Sequence, residues 1–100
     1  MIAGVYKVLV RGLGLFPRRG IISLRTVDNM LSGSFTLFKR EIPFSFGSYQ
    51  DGVIEIDGDL PLAVGKLNYI GKGIIKDKVI KLDLETERGH LTVKGKKQEK

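Results

Sequence analysis

The sequence lacks cysteine and tryptophan, and it has one histidine, His90, and three prolines among its 100 residues. Without cysteine there can be no disulfide framework and no thiolate metal site. One histidine cannot supply the three or four ligands that zinc usually takes. The sequence therefore excludes the common zinc and disulfide scaffolds, and we expect no metal or cofactor.

Long apolar runs are also missing. No stretch approaches the ~20 apolar residues that a membrane helix needs. The opening MIAGVYKVLVRG carries Lys7 and Arg11, so it lacks the apolar core of a signal peptide. These absences predict a cytoplasmic protein without membrane contact.

Alternating polar and apolar residues dominate the chain, and this period of two is typical of β-strands. In VIKLDLE, for example, Ile80, Leu82 and Leu84 share one face. Thirteen glycines, with other turn-forming residues, interrupt this alternation at short intervals and disfavour helix. Eight strands are predicted, at 3–11, 19–27, 30–38, 41–47, 53–60, 65–73, 78–85 and 89–96. The segment before the second strand contains Pro17, which limits strand pairing.

Eight consecutive antiparallel strands with one apolar face must cover that face. We predict an all-β fold in which a single sheet closes as an up-and-down barrel, or forms a closely related sandwich, over residues 1–97. We also predict that residues 98–100 form a short, disordered basic tail. A shift of 49 residues aligns 27–35 with 76–84, which indicates an internal two-fold repeat of about 3–48 and 52–97. Charged residues such as Asp57, Lys81 and Lys94 fall on the second face, opposite to the arrangement of an outer-membrane barrel.

Several stretches resemble a known family: GVYKVLVRGLG (4–14), DNMLSGSFTLF (28–38), IPFSFGSYQDGVIEIDGDL (42–60) and HLTVKGKK (90–97). They are similar to small bacterial β-barrel proteins with two tandem copies of G-x-Y-K-V, L-S-G and F-x-G-x-[RK]. Members occur alone or appended to flavin-dependent reductases, and their own function is unassigned. The second copy departs from the pattern at Lys81 and Leu82, which replace the Ser-Gly pair. The resemblance implies a barrel and a possible reductase partner.

A more distant resemblance, through GVY at 4–6, is to lipocalin-like and streptavidin-like barrels, which bind small apolar ligands. An eight-stranded barrel is just wide enough to be filled or to hold one small ligand. The leading functional hypothesis is therefore a non-enzymatic barrel that binds a small apolar or amphipathic molecule. The predicted lining residues are Tyr6, Phe35, Phe44, Phe46, Ile56, Tyr69, Leu82 and Val93. Inward-facing glycines could leave space among them or could permit sharp coiling.

Two alternatives rest on charge. The net charge is +6, and residues 1–50 contain seven Lys or Arg against two acids. Hairpin geometry predicts a basic rim of Arg18, Arg19, Lys39 and Arg40. A packed barrel could dock there to a reductase or another partner, or self-associate as a homodimer. A weaker alternative is anion or nucleic-acid binding, although the aromatic residues mostly fall on the apolar face, where they cannot stack on bases.

Catalytic groups are not indicated. His90 falls by alternation with Thr92 and Lys94 on the charged face, and we interpret it as solvent-exposed. Glu55, Asp57 and Asp59 are spaced by two, which predicts an acidic outer stripe facing neighbouring lysines. With no activated nucleophile, metal cluster or cofactor fingerprint, we expect no enzymatic activity.

Overall fold

β-Strands and tight turns form the part of the chain that the computed structural model describes, residues 2–12, 14–28, 30–61 and 66–98. Within it there is no helix. The strands are β1 (Gly4–Gly12), β2 (Leu15–Val27), β3 (Met30–Leu37), β4 (Arg40–Pro43), β5 (Phe46–Gln50), β6 (Val53–Pro61), β7 (Lys66–Lys76), β8 (Val79–Thr86) and β9 (Gly89–Lys97).

Antiparallel pairing closes the sheet into a barrel. Strands adjacent in the chain pair with one another except β4 and β5, which both pair with β3. The first strand, β1, also pairs with the last, β9. Eight strands, β1–β3 and β5–β9, make the closed wall, and β4 is an additional short strand on β3. The predicted all-β antiparallel barrel is confirmed.

The predicted single strand at 41–47 is wrong, because the structure has two strands there, β4 and β5. The Phe44 amide donates to the Gly33 carbonyl at 2.9 Å, and the Ser45 amide donates to the Asp57 carbonyl at 2.8 Å. The chain thus changes partners from β3 to β6 over two residues. This crossing breaks the alternation, so Phe46 points outward and is 48% exposed instead of lining the interior.

The second difference is that β2 begins earlier than predicted and includes Pro17. Its register with β1 shifts between Val10 and Gly12, where a bulge interrupts the ladder. A bulge is one of the few places where a strand tolerates proline, which cannot donate a backbone hydrogen bond.

Buried apolar side chains from the strands of the wall fill the interior. The exception is β5, from which Tyr49 packs partly buried against them. The rings of Phe35 and Tyr69 meet edge to face with centroids 6.2 Å apart. Among the described residues, every buried side-chain nitrogen or oxygen has a hydrogen-bond partner. The buried apolar residues are Tyr6, Val8, Val10, Ile22, Leu24, Leu31, Phe35, Leu37, Ile54, Ile56, Leu60, Leu67, Tyr69, Ile75, Ile80, Leu82, Leu84, Leu91 and Val93.

Gly33 marks a place where strands β2 and β3 approach closely. Its φ is +147°, and a Cβ built there would overlap the Ser23 carbonyl oxygen. Bends at such glycines let a twisted sheet coil tightly enough to close.

We expect Gly33→Ala to destabilise the barrel by about 2–4 kcal/mol, because alanine is strained at this φ and its methyl group would push β2 away. Urea unfolding followed by circular dichroism measures this change. Ser32→Ala, an exposed neighbour on the same strand, should change stability by less than about 0.5 kcal/mol. Equal stability of Gly33→Ala and the parent protein would contradict the close approach.

Tyr69 makes the barrel sensitive to alkaline pH. Burial raises the pKa of Tyr69 above its ordinary value, and the negative charges of Asp57 and Asp59 raise it further. In the unfolded chain this phenol ionises near pH ~10. The folded state therefore binds the proton more tightly, so its stabilisation is complete below pH ~10 and decreases as the pH rises above that value.

Accordingly, we expect the free energy of unfolding to fall between about pH 10 and 12, and Tyr69→Phe to fall less steeply because it cannot ionise. Urea titrations at pH 8 and pH 11 compare the two proteins. Parallel losses in both would show that Tyr69 does not carry the effect.

Candidate binding site on the outer wall

The barrel interior is occupied by the protein's own side chains. Six of the eight residues predicted to line a cavity are buried, namely Tyr6, Phe35, Ile56, Tyr69, Leu82 and Val93. Phe44 packs partly buried against them, and Phe46 points outward. A ligand inside the barrel stays a prediction.

Inward-facing glycines do not open space between these side chains. A Cβ at Gly58 would lie 3.0 Å from the Tyr69 hydroxyl oxygen, and one at Gly71 would lie 2.7 Å from the Leu84 Cδ2 atom. At Gly95 a Cβ would overlap the Lys7 carbonyl oxygen. These glycines make room for bulky neighbouring side chains or let two strands approach closely.

The outside of the barrel carries a concentrated set of cations where β8, β9, β1 and β2 lie side by side. In the strand registers, Lys7 is directly opposite Lys96, and Lys94 is directly opposite Lys81. Like charges facing each other across two strands destabilise a sheet. We call this surface the basic wall; its residues are Lys7, Arg11, Arg19, Lys81, Lys94 and Lys96.

Asp83 of β8 is an acidic side chain on this surface, because it is exposed on the same face as Lys81 and lies opposite Thr92 of β9. Two contacts of acids lie elsewhere: Lys72 Nζ forms an ion pair with Glu55 Oε1 at 3.6 Å, and His90 Nε2 lies 3.2 Å from Glu85 Oε1. Both pairs are exposed. The wall therefore keeps a net positive charge, which solvent ions or a partner can balance.

A groove of about 640 Å³ crosses part of the basic wall and extends onto β3. The side chains of Leu9, Ile21 and Phe38 give it apolar surface, and Ile21 and Phe38 are 40% and 37% exposed. Its cationic lining residues are Lys7, Arg19, Lys39, Lys94 and Lys96. An apolar floor bordered by cations suits an anion that also has an apolar part, and we call this feature the basic groove.

The turn between β3 and β4 lies at one end of the basic groove and has an unfavourable backbone conformation. Phe38 and Lys39 have φ values of 53° and 61°. Both central residues of a type I′ hairpin turn need positive φ, which asparagine and glycine adopt far more readily than phenylalanine and lysine. Strained residues of this kind tend to occur at functional sites.

The predicted basic rim surrounds the same turn. The guanidinium of Arg18 lies over the Phe38 ring at 5.3 Å from its centroid. Arg19 and Lys39 line the groove, and Arg40 begins β4 directly after the turn. The four predicted rim residues therefore lie together at one end of the barrel.

Sequence reasoning missed the other half of the groove, Lys7, Lys94 and Lys96. Their alternation placed Lys94 and Lys96 on the outer face, but nothing local to either segment shows that β1 pairs with β9. The predicted closed barrel could have indicated this pairing, because a closed up-and-down barrel must pair its first strand with its last.

The remaining sequence candidates are surface residues. His90 is exposed and faces Glu85 on β8, as the alternation indicated. Glu55 faces Lys72 on β7, and Asp59 accepts a hydrogen bond of 3.3 Å from the Asn68 side-chain amide. Within the described ranges no group of three or more metal-ligating side chains is assembled.

Comparison with known proteins gives a fold likeness only. No family model and no curated protein matches this sequence. A redesigned β-barrel shares 17% identity with a TM-score of 0.72, over 98% of this chain and 92% of its own. A protein of Bacteroides fragilis NCTC 9343, proposed to be an outer membrane protein, shares 14% identity with a TM-score of 0.64. That match covers 97% of this chain and 44% of the Bacteroides protein.

Both structural likenesses support the β-barrel architecture. Among the described residues no helix is long and apolar enough to cross a membrane.

Replacing the two residues of the strained turn should increase the stability of the barrel and weaken binding at the basic groove. We expect Phe38→Asn combined with Lys39→Gly to stabilise the barrel by about 1–2 kcal/mol, because both residues then favour positive φ. The same change removes the exposed ring and one cation of the basic groove. Thermal unfolding and binding of an anionic dye measure the two effects.

A matched control is Lys78→Gly in the β7–β8 turn, where Lys78 has a φ of 66° and does not line the groove. This variant should gain stability without losing dye binding. If the double variant were destabilised, the turn at 38–39 would not be strained.

Proposed function

We propose that this protein is a non-enzymatic binding module that docks an anionic, partly apolar partner on the basic groove. The observation that carries the proposal is the pair of unfavourable contacts, Lys7 opposite Lys96 and Lys81 opposite Lys94, on a wall where cations outnumber acids among the described residues. A folded barrel has no structural need for such pairs, since like charges facing each other reduce its stability. A bound anion offsets that repulsion.

The groove combines two kinds of interaction. Its lysines and Arg19 attract an anionic group over a range of about 10 Å at moderate salt, and electrostatic complementarity increases the association rate and selects for charge. The exposed surfaces of Ile21 and Phe38 add burial of apolar area. Partners that meet both conditions include an amphipathic anion and an acidic protein surface.

The proposal favours the outer wall over the interior. Buried side chains occupy the space where an interior ligand would sit. The space beside the inward-facing glycines is taken by neighbouring groups such as the Tyr69 hydroxyl. Docking to a flavin-dependent reductase, which the sequence resemblance implies, is one form of the same function.

We also propose that the barrel works in an aqueous compartment, with the cytoplasm as our expectation. Lys81, Asp83 and Lys94 are exposed in the middle of their strands, where a lipid-facing barrel carries an apolar belt. The buried apolar set lies inside instead.

Two dyes of similar shape test where binding occurs. The sulfonate 8-anilinonaphthalene-1-sulfonate carries a negative charge, and N-phenyl-1-naphthylamine is neutral. We expect the sulfonate to bind more tightly and to be released as salt rises from about 20 mM to 500 mM, because screening weakens surface electrostatics. Fluorescence titration gives both affinities.

Charge reversal by Lys94→Glu and Lys96→Glu should weaken sulfonate binding about tenfold or more, the equivalent of about 1.4 kcal/mol. The same variant should fold at least as stably as the parent, because the two introduced carboxylates would face Lys81 and Lys7 as opposite charges. Lys76→Glu with Arg88→Glu makes the same charge change away from the groove and should retain binding. Tighter binding of the neutral dye, unaffected by reversal at 94 and 96, would place the ligand inside the barrel and refute the proposal.

A further inference from the structure

A second amphipathic surface lies on the outside of the barrel, on β5, β6 and β7. In the strand registers, Asp57 of β6 is directly opposite Phe46 on one side and Ile70 on the other. Phe46 is 48% exposed and Ile70 is 61% exposed. We call this surface the acidic face; its residues are Phe46, Val53, Glu55, Asp57, Asp59, Ile70 and Ile74.

The exposed apolar residues of the acidic face are not isolated. Val53 is directly opposite Ile74, and both are at least 40% exposed. Together with Phe46 and Ile70 they border the acidic side chains of β6, of which Glu55 is paired with Lys72 of β7 and Asp57 and Asp59 are not. Grouped apolar side chains with a polar rim are typical of interaction surfaces.

The acidic face and the basic wall are complementary in composition. On the wall, Leu9 lies between Lys94 and Arg19 in register, so an apolar residue is flanked by cations. On the face, an acid is flanked by apolar residues. The acidic face of one copy can lie on the basic wall of another with Asp57 shifted by one strand from Leu9. Asp57 then meets Lys94 or Arg19, and Phe46 or Ile70 covers Leu9.

The spacing of charges matches as well. The acidic side chains of β6 recur at every second residue, and so do Lys94 and Lys96 on β9. Residues two apart on one face of a strand are separated by ~6–7 Å in every β-sheet. Both surfaces therefore present charges at the same interval.

We propose that the anionic, partly apolar partner of the basic wall is the acidic face of a second copy of this chain. This inference rests on the proposed function and names its partner. Uncharged partners do not explain the facing lysines of the wall, and a small anion does not explain the exposed apolar residues on β5 and β7. A second copy satisfies both surfaces at once.

The position of the two surfaces determines the kind of assembly. Around the closed wall the strands run β1, β2, β3, β5, β6, β7, β8, β9, so β6 lies four positions from β1 in either direction. The acidic face and the centre of the basic wall are therefore on opposite sides of the barrel. Contacts between different surfaces of identical subunits leave a free surface at each end, so association is open-ended rather than a closed dimer.

The test uses the full chain and two charge-reversal variants. The wall variant carries Lys94→Glu and Lys96→Glu, and the face variant carries Asp57→Lys and Asp59→Lys. In sedimentation velocity at about 20 mM salt, we expect the parent protein to show a sedimentation coefficient that rises continuously with concentration. At about 500 mM salt it should sediment as a monomer, because screening removes the attraction.

Each variant alone should be monomeric, with self-association weakened about tenfold or more. An equimolar mixture should regain association, because the intact acidic face of the wall variant binds the intact wall of the face variant. The reversed wall is negative and the reversed face is positive, so these two surfaces also attract each other and the mixture can extend with the two variants alternating. Circular dichroism and thermal unfolding confirm that each variant is folded.

A control for the face variant is Glu85→Lys with Glu87→Lys, which makes the same charge change at the β8–β9 hairpin and should associate like the parent protein. A monomeric parent at millimolar concentration and low salt would overturn the inference, as would a mixture that stays monomeric. If the parent is monomeric but still binds the sulfonate dye at the groove, the inference fails and the proposed function stands. Loss of dye binding as well would remove both.

Discussion

Closure of the sheet is the constraint on which the rest of this structure depends. The barrel exists because β1 pairs with β9 while β2 pairs with β3, so that one apolar face is enclosed and few strand edges are left open. Closure of so short a chain requires tight coiling, and coiling requires strands that nearly touch. Gly33 and Gly95 permit that approach where any side chain would overlap the neighbouring backbone. The glycines that could have opened a cavity instead allow the wall to contract around its own side chains.

Closure also arranges the charges. Lys7 and Lys96 come from opposite ends of the chain and become direct neighbours only because the first and last strands pair. The resulting wall has a high density of positive charge, while the acids of β6 are held on the far side of the barrel. The molecule is therefore electrically asymmetric across its width, although its net charge of +6 describes only the sum. The function proposed for the wall and the assembly proposed for its partner surface both derive from this asymmetry.

Much of the fold is accessible from alternation alone. Alternation assigns Ile80, Leu82 and Leu84 to the interior because every second residue of a strand faces the same side, and burial bears this out. The same rule assigns His90 to the outside. The alternation fails where the chain changes partners at 44–45, because two hydrogen bonds to different strands break the period that would place Phe46 inside. Such a crossing depends on which strands are available nearby, and that is a property of the closed barrel rather than of the local sequence.

The site shows the same division. Local turn geometry suffices to bring Arg18, Arg19, Lys39 and Arg40 to one end, whereas Lys7, Lys94 and Lys96 require knowledge of a pairing between distant segments. The strain at Phe38 cannot be read from the residue type, because phenylalanine and lysine are unusual at a two-residue turn and the sequence alone favours a longer strand there.

The crossing at Phe44 and Ser45 has a consequence for motion. In the described part of the chain β4 is paired only with β3, and the end of β6 beyond Asp57 is paired only with β7. The wall thus has one short seam that is held by side-chain packing and not by a continuous ladder. Amide groups along this seam are protected by fewer cooperative hydrogen bonds than those of β8, which is paired on both sides. We therefore expect slow opening of the barrel to begin at the seam, while the basic wall on β8, β9, β1 and β2 keeps its shape.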